Sequence, residues 1–237
     1  SETPCVTGGV FTTNLVKAAP VLVDQETLAK NNTHIRAVIV NTKCANACTG
    51  QQGIDNARQM QRWTAEKLGI GEDEVLVMST GVIGTQLPMD KIQHGIGLAV
   101  DSLGHDWDAA ARGIMTTDTR PKLEYFVSTR GYNIAGIAKG SGMIAPNMAT
   151  MLGVIVTDAD MSLSSRTPPW HPQDFIQSIT GESFNMIAVD GDTSTNDSLV
   201  LLANGASNLW SNADAFYDEL GDVAYPLAQK IVRDGEG

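Results

Sequence analysis

The sequence has few cysteines and few aromatic residues, and acidic residues outnumber basic ones. Its three cysteines, Cys5, Cys44 and Cys48, show no C-x-x-C spacing and have no third ligand nearby, so we expect neither a disulfide framework nor a zinc site. With 16 Lys and Arg against 27 Asp and Glu, the net charge is −11, which argues against a nucleic-acid partner. No apolar run approaches the ~18 residues of a membrane span, and the N-terminus SETPCVTGG lacks a signal segment. We therefore expect no nucleic acid, no membrane and no metal, with the cytoplasm as the default compartment.

Several common catalytic and binding motifs are also missing. No G-x-G-x-x-G follows a strand, and there is no G-x-x-x-x-G-K-[ST] phosphate loop. The segment KGSGM lacks the G-x-S-x-G spacing of a nucleophile elbow. The acidic segment DGDTSTND is similar to a calcium loop, but Thr195 and Leu201 occupy positions where an EF-hand requires Gly and Glu. We favour the alternative, an Asx-rich turn that satisfies its own backbone.

Apolar, β-branched runs alternate with helical patterns along the chain. Their spacing predicts strands at residues 34–42, 73–80, 122–129, 132–140, 151–159 and 184–192. The fourth of these strands follows the third through a hairpin turn at Arg130 and Gly131. Hydrophobic residues make up 42% of the chain and charged residues 18%, as in an ordinary globular protein.

Helical periodicity fills most of the remaining sequence. It predicts helices at residues 50–70, 88–103 and 173–182, and at 212–237 with an interruption at Pro226. The first of these has Thr49 as a candidate N-cap and Gly69 as a candidate C-cap. Residues 196–207 are expected to run into a helix whose apolar stripe is hard to place. Mixed strands and helices predict a layered α/β or α+β domain.

One stretch, KGSGMIAPNMATMLGVIV, places Thr150 at the start of a predicted strand, after glycines, a proline and an alanine. A threonine can act as a nucleophile without a histidine if its own α-amine, with a pKa of roughly 7.7–8.0, serves as the base. That amine becomes available only if the bond between Ala149 and Thr150 is cut. The residues alone leave two interpretations open: self-cleavage, or a small-residue turn in front of a core strand.

This stretch resembles the self-processing segment of the ornithine acetyltransferase (ArgJ) family. Other segments resemble the same family in the same order: GGVFTTNLVKAAPV, NACTGQQGIDNA, STGVIGTQLPMDKI, MTTDT, VDGDTSTND and IVRDGEG. Together they cover essentially the whole chain. NTKCANACTG departs from the family pattern in its first half, and we assign Cys44 no role. The resemblance implies an α/β (α+β layered) fold, a DmpA/ArgJ-like sandwich with self-processing of the N-terminal-nucleophile type.

The resemblance also implies a division of the chain at the self-processing site. Cleavage between Ala149 and Thr150 would give an α-chain portion, residues 1–149, and a β-chain portion, residues 150–237, which together form one catalytic domain. Family members are longer at both ends, so we expect both portions to be incomplete. The implied reaction moves an acetyl group from N2-acetyl-L-ornithine to L-glutamate through acetyl-Thr150, in arginine biosynthesis. The implied assembly is a heterotetramer of two α and two β chains.

Individual site residues follow from the same resemblance. Thr80 and Gly81 are implied as the oxyanion hole. The implied substrate-binding residues are Thr116 or Thr117, Lys139, Thr150 and Glu236. We favour Thr116, although alternation along a strand does not decide between it and Thr117. Lys139 offers a cation to a substrate carboxylate and Glu236 an acid to the amino end of ornithine. We expect structural roles for Asp190, Asp192 and Asn196. The family's remaining contacts, an Asn and a Ser or Thr near the C-terminus, have no counterpart.

Two other functions stay open. A self-cleaving aminopeptidase or amidohydrolase of related fold would carry Ser at the new N-terminus, where this chain has Thr150. A non-catalytic domain that binds a small molecule would keep its chain intact. We expect no cofactor. Some family members also use acetyl-CoA as a co-substrate, as N-acetylglutamate synthases do, and no motif here identifies a CoA site.

Overall fold

The computed structural model describes residues 1–142, 151–163, 171–188 and 192–235, which form two packed sheets flanked by helices. The strands are β1 (Val6–Phe11), β2 (Ala37–Asn41), β3 (Val75–Ser79), β4 (Lys122–Val127), β5 (Asn133–Lys139), β6 (Leu152–Thr157) and β7 (Ser198–Ala203). The helices are α1 (Ala19–Lys30), α2 (Gly50–Leu68), α3 (Met89–Asp101), α4 (Trp107–Gly113), α5 (Pro172–Glu182) and α6 (Ala213–Arg233). This arrangement confirms the expected layered α/β sandwich.

The larger sheet has the strand order β1-β7-β6-β5-β4. β6 and β7 run parallel, whereas the other neighbours are antiparallel. Alternate residues of β7 pack into two separate cores. Leu199 and Leu201 contact the layer of α5 and α6, and Val200 and Leu202 contact the smaller sheet. Period-two alternation therefore buries both faces of this sheet.

The second half of the chain departs from the predicted elements in two places. Residues 196–207 contain no helix, because Ser198–Ala203 form β7, an interior strand of the larger sheet. The run SLVLLA is buried on both faces, so it offers no alternation by which a strand could be recognised. The strand predicted at 184–192 is wrong over its described part, since Phe184–Met186 form a 3₁₀ turn directly after α5.

The outer face of the larger sheet is covered by α5 and α6. Phe175 of α5 meets Phe216 of α6 edge to face, with ring centroids 5.0 Å apart, above the strands. The predicted interruption at Pro226 is wrong, because α6 continues through it to Arg233. Proline leaves the carbonyl one turn earlier, at Asp222, without its donor, but Asp222 is exposed and water can replace it. Burial of Leu227 and the rest of the apolar face offsets the remaining cost.

The smaller sheet consists of β2 and β3, which run parallel. Both were predicted as strands. Leu76 and Met78 of β3 face the larger sheet, whereas Val77 faces the layer of α1, α2 and α3. Gly69 ends α2 in the left-handed conformation, with φ 67°, as its C-cap prediction requires. Thr49 occupies the N-cap position, but its hydroxyl donates to Asn46 instead of capping the helix. Neither α1 nor α4 was predicted.

Strand pairing interleaves the parts of the chain before and after residue 150. β6 pairs with β5 on one side and with β7 on the other, and β7 pairs with β1. Lys139, at the end of β5, lies opposite Leu152, at the start of β6. The predicted site segments therefore meet at this end of the larger sheet. Across the described residues, no helix combines the length and the apolar character that crossing a membrane requires.

Candidate active site

Thr80 and Gly81 lie directly after β3, where the chain leaves the smaller sheet. The Thr80 N–H donates to Asn41 and the Val82 N–H donates to Lys43, so the loop after β2 holds this turn. Gly81 has φ +134°, and a Cβ there would lie 2.2 Å from the carbonyl carbon of Lys43. Only glycine fits this position. Within the described part of the chain the Gly81 N–H makes no hydrogen bond, so it can donate to an incoming oxygen.

Lys139 reaches Thr80 from the other sheet. It is the last residue of β5 and is 2% exposed, and its Nζ donates to Thr80 Oγ1 over 3.2 Å. Burial lowers the pKa of Lys139, while the carboxylates of Asp118 and Asp197 raise it and Lys122 lowers it. The structure thus brings together three of the predicted residues, Thr80, Gly81 and Lys139.

A buried ion-pair network, Asp118–Lys122–Asp234, holds the surrounding segments in place. Lys122 Nζ lies 2.6 Å from Asp118 Oδ1 and 2.6 Å from Asp234 Oδ2, and none of the three side chains is more than 1% exposed. Asp118 Oδ1 also accepts from the Gly140 N–H at 2.7 Å. The Thr119 N–H and hydroxyl both donate to Asp234. The network therefore ties the MTTDT segment to the residue after Lys139 and to the C-terminal end of α6.

Electrostatics within this network favour the charged carboxylates. Burial alone would raise the pKa of Asp118, but the Lys122 ammonium and two backbone N–H donors outweigh it and lower the pKa below its ordinary value. The pKa of Asp234 is lowered in the same way, since Lys122 and Thr119 outweigh burial. Sequence reasoning missed all three residues of the network. Asp118 and Asp234 do, however, lie inside the MTTDT and IVRDGEG segments that carry the family resemblance.

Thr116 and Thr117 lie in the bend before β4 and not in a strand, so the strand alternation considered for them does not apply. Both are exposed. Thr117 Oγ1 lies 2.6 Å from the hydroxyl of the buried Ser141, two residues beyond Lys139. The backbone N–H of Thr116 donates a hydrogen bond to Asp118 Oδ2. The choice of Thr116 over Thr117 as a substrate contact stays a prediction.

Asn196 and Asp197 connect the acidic segment to the same site. Asn196 Nδ2 donates to the carbonyls of Ala45 and Ser79, at 2.6 and 2.9 Å, so this side chain supports the turn that carries Thr80. Asp197 is fully buried, and its Oδ1 accepts from the Met151 N–H at 2.9 Å. Burial raises the pKa of Asp197 to about 8, against the lowering effects of Met151, Ser194 and Lys139. Sequence reasoning expected a structural role for Asn196 and overlooked Asp197.

Other predicted residues lie outside the described part of the chain. These are Ala149, Thr150, Glu236 and Asp190. Their roles stay predictions. The described residue next to the expected cleavage site is Met151, which the Asp197 carboxylate holds.

Among the described residues, the cysteines and acidic side chains form no separate site. Cys44 is buried, and its main chain pairs with Thr80 and Val82, so it has a structural place beside the Thr80 turn. Cys48 is exposed and unbonded to another cysteine. No three His, Cys, Asp or Glu side chains converge to form a candidate metal site within the residues that the structure describes.

Comparison with known sequences identifies relatives over the full chain. The model of the ArgJ family matches residues 1–237. The arginine biosynthesis bifunctional protein ArgJ of Thermotoga neapolitana is 49% identical over 246 residues, which cover 100% of this chain and 60% of that protein. The protein of the same name from Geobacter sulfurreducens is 49% identical over 247 residues, which cover 100% of this chain and 61% of that protein. The chain thus spans about three fifths of the length of these relatives.

Two solved structures share the fold. The crystal structure of the arginine biosynthesis bifunctional protein ArgJ from Bacillus halodurans has a TM-score of 0.56 and 42% identity, covering 62% of this chain and 79% of that chain. The ornithine acetyltransferase from Mycobacterium tuberculosis, complexed with ornithine, has a TM-score of 0.58 and 39% identity, covering 62% of this chain and 78% of that chain. Because the family match extends over every residue, the chain belongs to the ArgJ family.

Proposed function

We propose that this chain carries the acyl-transfer site of a self-processing glutamate N-acetyltransferase, an acyltransferase of arginine biosynthesis. The proposed reaction moves acetyl from N2-acetyl-L-ornithine to L-glutamate through acetyl-Thr150. The observation that carries the proposal is the buried contact between Lys139 and Thr80, beside the unpaired N–H of Gly81. Among the described residues the Thr80 hydroxyl and the Gly81 N–H have no acceptor, and two such neighbouring donors suit an oxyanion. Family membership supports the same reaction.

Self-cleavage would prepare the nucleophile. The Thr150 hydroxyl attacks the Ala149 carbonyl carbon, the peptide bond opens, and the acyl group moves from nitrogen to oxygen as an ester. Water then hydrolyses the ester, which leaves a carboxylate on Ala149 and a free α-amine on Thr150. This amine takes the hydroxyl proton in the following acetyl transfer.

Acetyl transfer would then proceed in two matched steps. Thr150 Oγ attacks the acetyl carbon of N2-acetyl-ornithine, and the carbonyl electron pair moves to its oxygen. The Thr80 hydroxyl and the Gly81 N–H stabilise this oxyanion, and each such donor is typically worth about 10²–10³ in rate. Ornithine leaves with the proton that the α-amine received. The amine of glutamate then attacks the acetyl carbon of acetyl-Thr150. The same steps run in reverse, Thr150 regains its hydroxyl proton, and N-acetylglutamate leaves.

The proposal extends to the substrate contacts and the assembly. Thr116 or Thr117 and Glu236 would contact substrate, with Glu236 facing the amino end of ornithine. The interleaved strands support an assembly in which both cleavage products share one sheet, since β6 and β7 pair with β5 and β1. Two such α and β pairs would form the heterotetramer. The proposed reaction needs no cofactor. The use of acetyl-CoA as a second acetyl donor stays open.

Gel analysis of the full-length protein tests the cleavage. Denaturing electrophoresis should give two pieces for the wild type and one for Thr150→Ala. N-terminal sequencing of the C-terminal piece, the β-chain portion, should begin at Thr150. A wild-type chain that transfers acetyl while the bond stays intact would refute the proposed nucleophile.

A second assay separates the transferase from the related hydrolase. Incubation with N2-acetyl-ornithine is carried out with and without glutamate. The transferase should form N-acetylglutamate and release little acetate, whereas equal acetate release in both incubations would identify an amidohydrolase. An intact chain that binds ornithine without turnover would identify a binding domain.

A further inference from the structure

Asp118 is a buried carboxylate that contacts both segments in which the family resemblance implies substrate-binding residues. Its Oδ2 accepts from the Thr116 N–H at 3.1 Å, and its Oδ1 accepts from the Gly140 N–H at 2.7 Å. Gly140 directly follows Lys139, the last residue of β5. Hydrogen bonds to an ionised carboxylate are stronger than those between neutral groups. One side chain therefore fixes the spacing between the Thr116 segment and Lys139.

Lys139 has hydrogen-bond donors left over for a ligand. An ammonium carries three N–H donors, and the Thr80 hydroxyl accepts from Lys139 Nζ over 3.2 Å. Among the described residues no other group accepts from this Nζ. Because Lys139 is only 2% exposed, its remaining donors need a partner inside the protein, and the carboxylate of a substrate supplies one.

Ionisable groups on three neighbouring segments act on Lys139: Asp118 before β4, Lys122 in β4 and Asp197 before β7. Burial lowers the pKa of Lys139, the two carboxyl groups raise it, and Lys122 lowers it. Burial raises the pKa of Asp197 to about 8, so this group is largely protonated at pH 7. Burial also acts to raise the pKa of Asp118, but Lys122 and two backbone N–H donors outweigh it and lower the pKa. Asp118 is therefore the carboxylate of this set that stays ionised beside Lys139.

We infer that Asp118 is a positioning residue of the substrate-binding site, whose carboxylate holds the Thr116 segment against Lys139. The same carboxylate lies 2.6 Å from Lys122 Nζ and offsets its charge, so that Lys139 stays an ammonium and binds the carboxylate of the acetyl donor. Without this offset the two buried cations would disfavour each other's charged forms. The inference rests on the proposed acetyl transfer from N2-acetyl-L-ornithine. Asp118 itself contacts neither the substrate nor the reacting atoms in this role.

Two acetyl donors separate this role from a general structural one. N2-acetyl-L-ornithine carries the carboxylate, and N-acetyl-1,4-diaminobutane is the same molecule without it. Acetylation of Thr150 in the full-length, self-processed enzyme is followed by mass at low donor concentration, which gives kcat/KM even for a slow donor. The donor ratio is kcat/KM for the first donor divided by kcat/KM for the second. Asp118→Asn should lower this ratio about 5-fold or more, because the ion pair with the donor weakens, and a smaller change would overturn the inference.

A double-mutant cycle tests whether the effect passes through Lys139. The variants are Asp118→Asn, Lys139→Met and the double variant, with Asp222→Asn on the exposed side of α6 as the control for loss of one acid. The double variant should have the same donor ratio as Lys139→Met alone, because Asp118 acts on the donor carboxylate only through Lys139. Asp222→Asn should match the wild type. Reductions of the donor ratio that multiply in the double variant would contradict the inference.

The pH dependence of the donor ratio gives a readout that a structural defect alone does not move. The ratio should fall as pH rises through the pKa of Lys139, because a neutral amine no longer attracts the donor carboxylate. In Asp118→Asn this fall should begin at a lower pH than in the wild type, since the variant lacks the charge that offsets Lys122. A profile that is not shifted to lower pH would count against the role of Asp118.

Folding and the proposed function are controlled separately. Asp118→Ser, which keeps a smaller neutral acceptor, replaces Asp118→Asn if circular dichroism shows that asparagine disrupts the fold, and the same comparisons apply. Failure of the wild type to form acetyl-Thr150, measured by the mass of the β-chain portion, refutes the proposed function. Wild-type acetylation combined with equal losses for both donors in the variant refutes only the role of Asp118.

Discussion

Replacement of Lys122 by methionine is predicted to destabilise the fold by about 3 kcal/mol. Lys122 is the only cation in direct contact with two buried carboxylates among the described residues, Asp118 and Asp234, each at 2.6 Å. Removal of one partner from a buried ion pair typically costs about 3–5 kcal/mol, because the remaining charge is left uncompensated. We expect the lower end of this range, since backbone N–H groups still donate to both carboxylates.

The assay is unfolding by heat and by urea, with Lys91→Met as the matched control at an exposed position. For a chain of this size, a loss of about 3 kcal/mol corresponds to a fall in Tm of roughly 6–12 °C. Addition of Asp118→Asn and Asp234→Asn to Lys122→Met should restore more than half of the loss, because no uncompensated charge remains.

The pH dependence supplies an independent check on the same network. In the wild type the pKa values of Asp118 and Asp234 are lowered, so their stabilising contribution is present above the unfolded value of about 3.9 and is lost as pH falls through the folded values. Without Lys122, burial is opposed mainly by the remaining hydrogen-bond donors, so we expect both pKa values to rise and the variant to lose stability as pH rises. The difference in unfolding free energy between wild type and variant should therefore shrink from pH 7 to pH 4.5. A loss below about 1 kcal/mol at pH 7, as for a surface ion pair, would refute the reasoning.

Three further predictions concern the site and the strand pairing. Gly81→Ala should lower kcat of acetyl transfer about 10²-fold or more, because its Cβ would lie 2.2 Å from the carbonyl carbon of Lys43 and displace the Gly81 N–H. The comparison is made at equal folded fraction, and a variant with wild-type kcat would contradict this prediction. The pKa of Asp197 is raised to about 8, so the wild type should lose stability as pH rises from about 4 to about 8. In Asp197→Asn the unfolding free energy should change less over this range, and equal slopes would disprove the assignment. The two pieces of the cleaved protein should co-elute in native gel filtration and separate only in denaturant, because β6 lies between β5 and β7; separation without denaturant would count against the shared sheet.

The elements recognised from sequence are those whose signal is local. The hairpin of β4 and β5 was predicted around Gly131, which has φ 93°, and Gly69 marked the end of α2. β7 was missed because burial on both faces removes the alternation that identifies a strand. Pro226 was expected to break a helix, yet tertiary packing outweighed the local penalty.

The residues of the candidate site divide in the same way, into those that the sequence indicated and those that only tertiary contacts brought together. Thr80, Gly81 and Lys139 were named because their segments resemble a known family, whereas no local pattern indicated that they touch. Asp118, Lys122 and Asp197 were overlooked, because an isolated charged residue is normally on the surface. Their burial arises from contacts between distant segments, such as the pair of Lys122 and Asp234, which lie 112 positions apart.

By itself the sequence determined the family and most of the strands and helices, and it named the residues that we propose for the chemistry. These depend on short segments, whose side-chain spacing and backbone preferences are decided by near neighbours. Only the tertiary structure decided which polar groups share the interior, which of them are charged there, and that Lys139 meets Thr80. Desolvation and Coulomb interactions depend on distance in space, and that distance is set when the two sheets pack together.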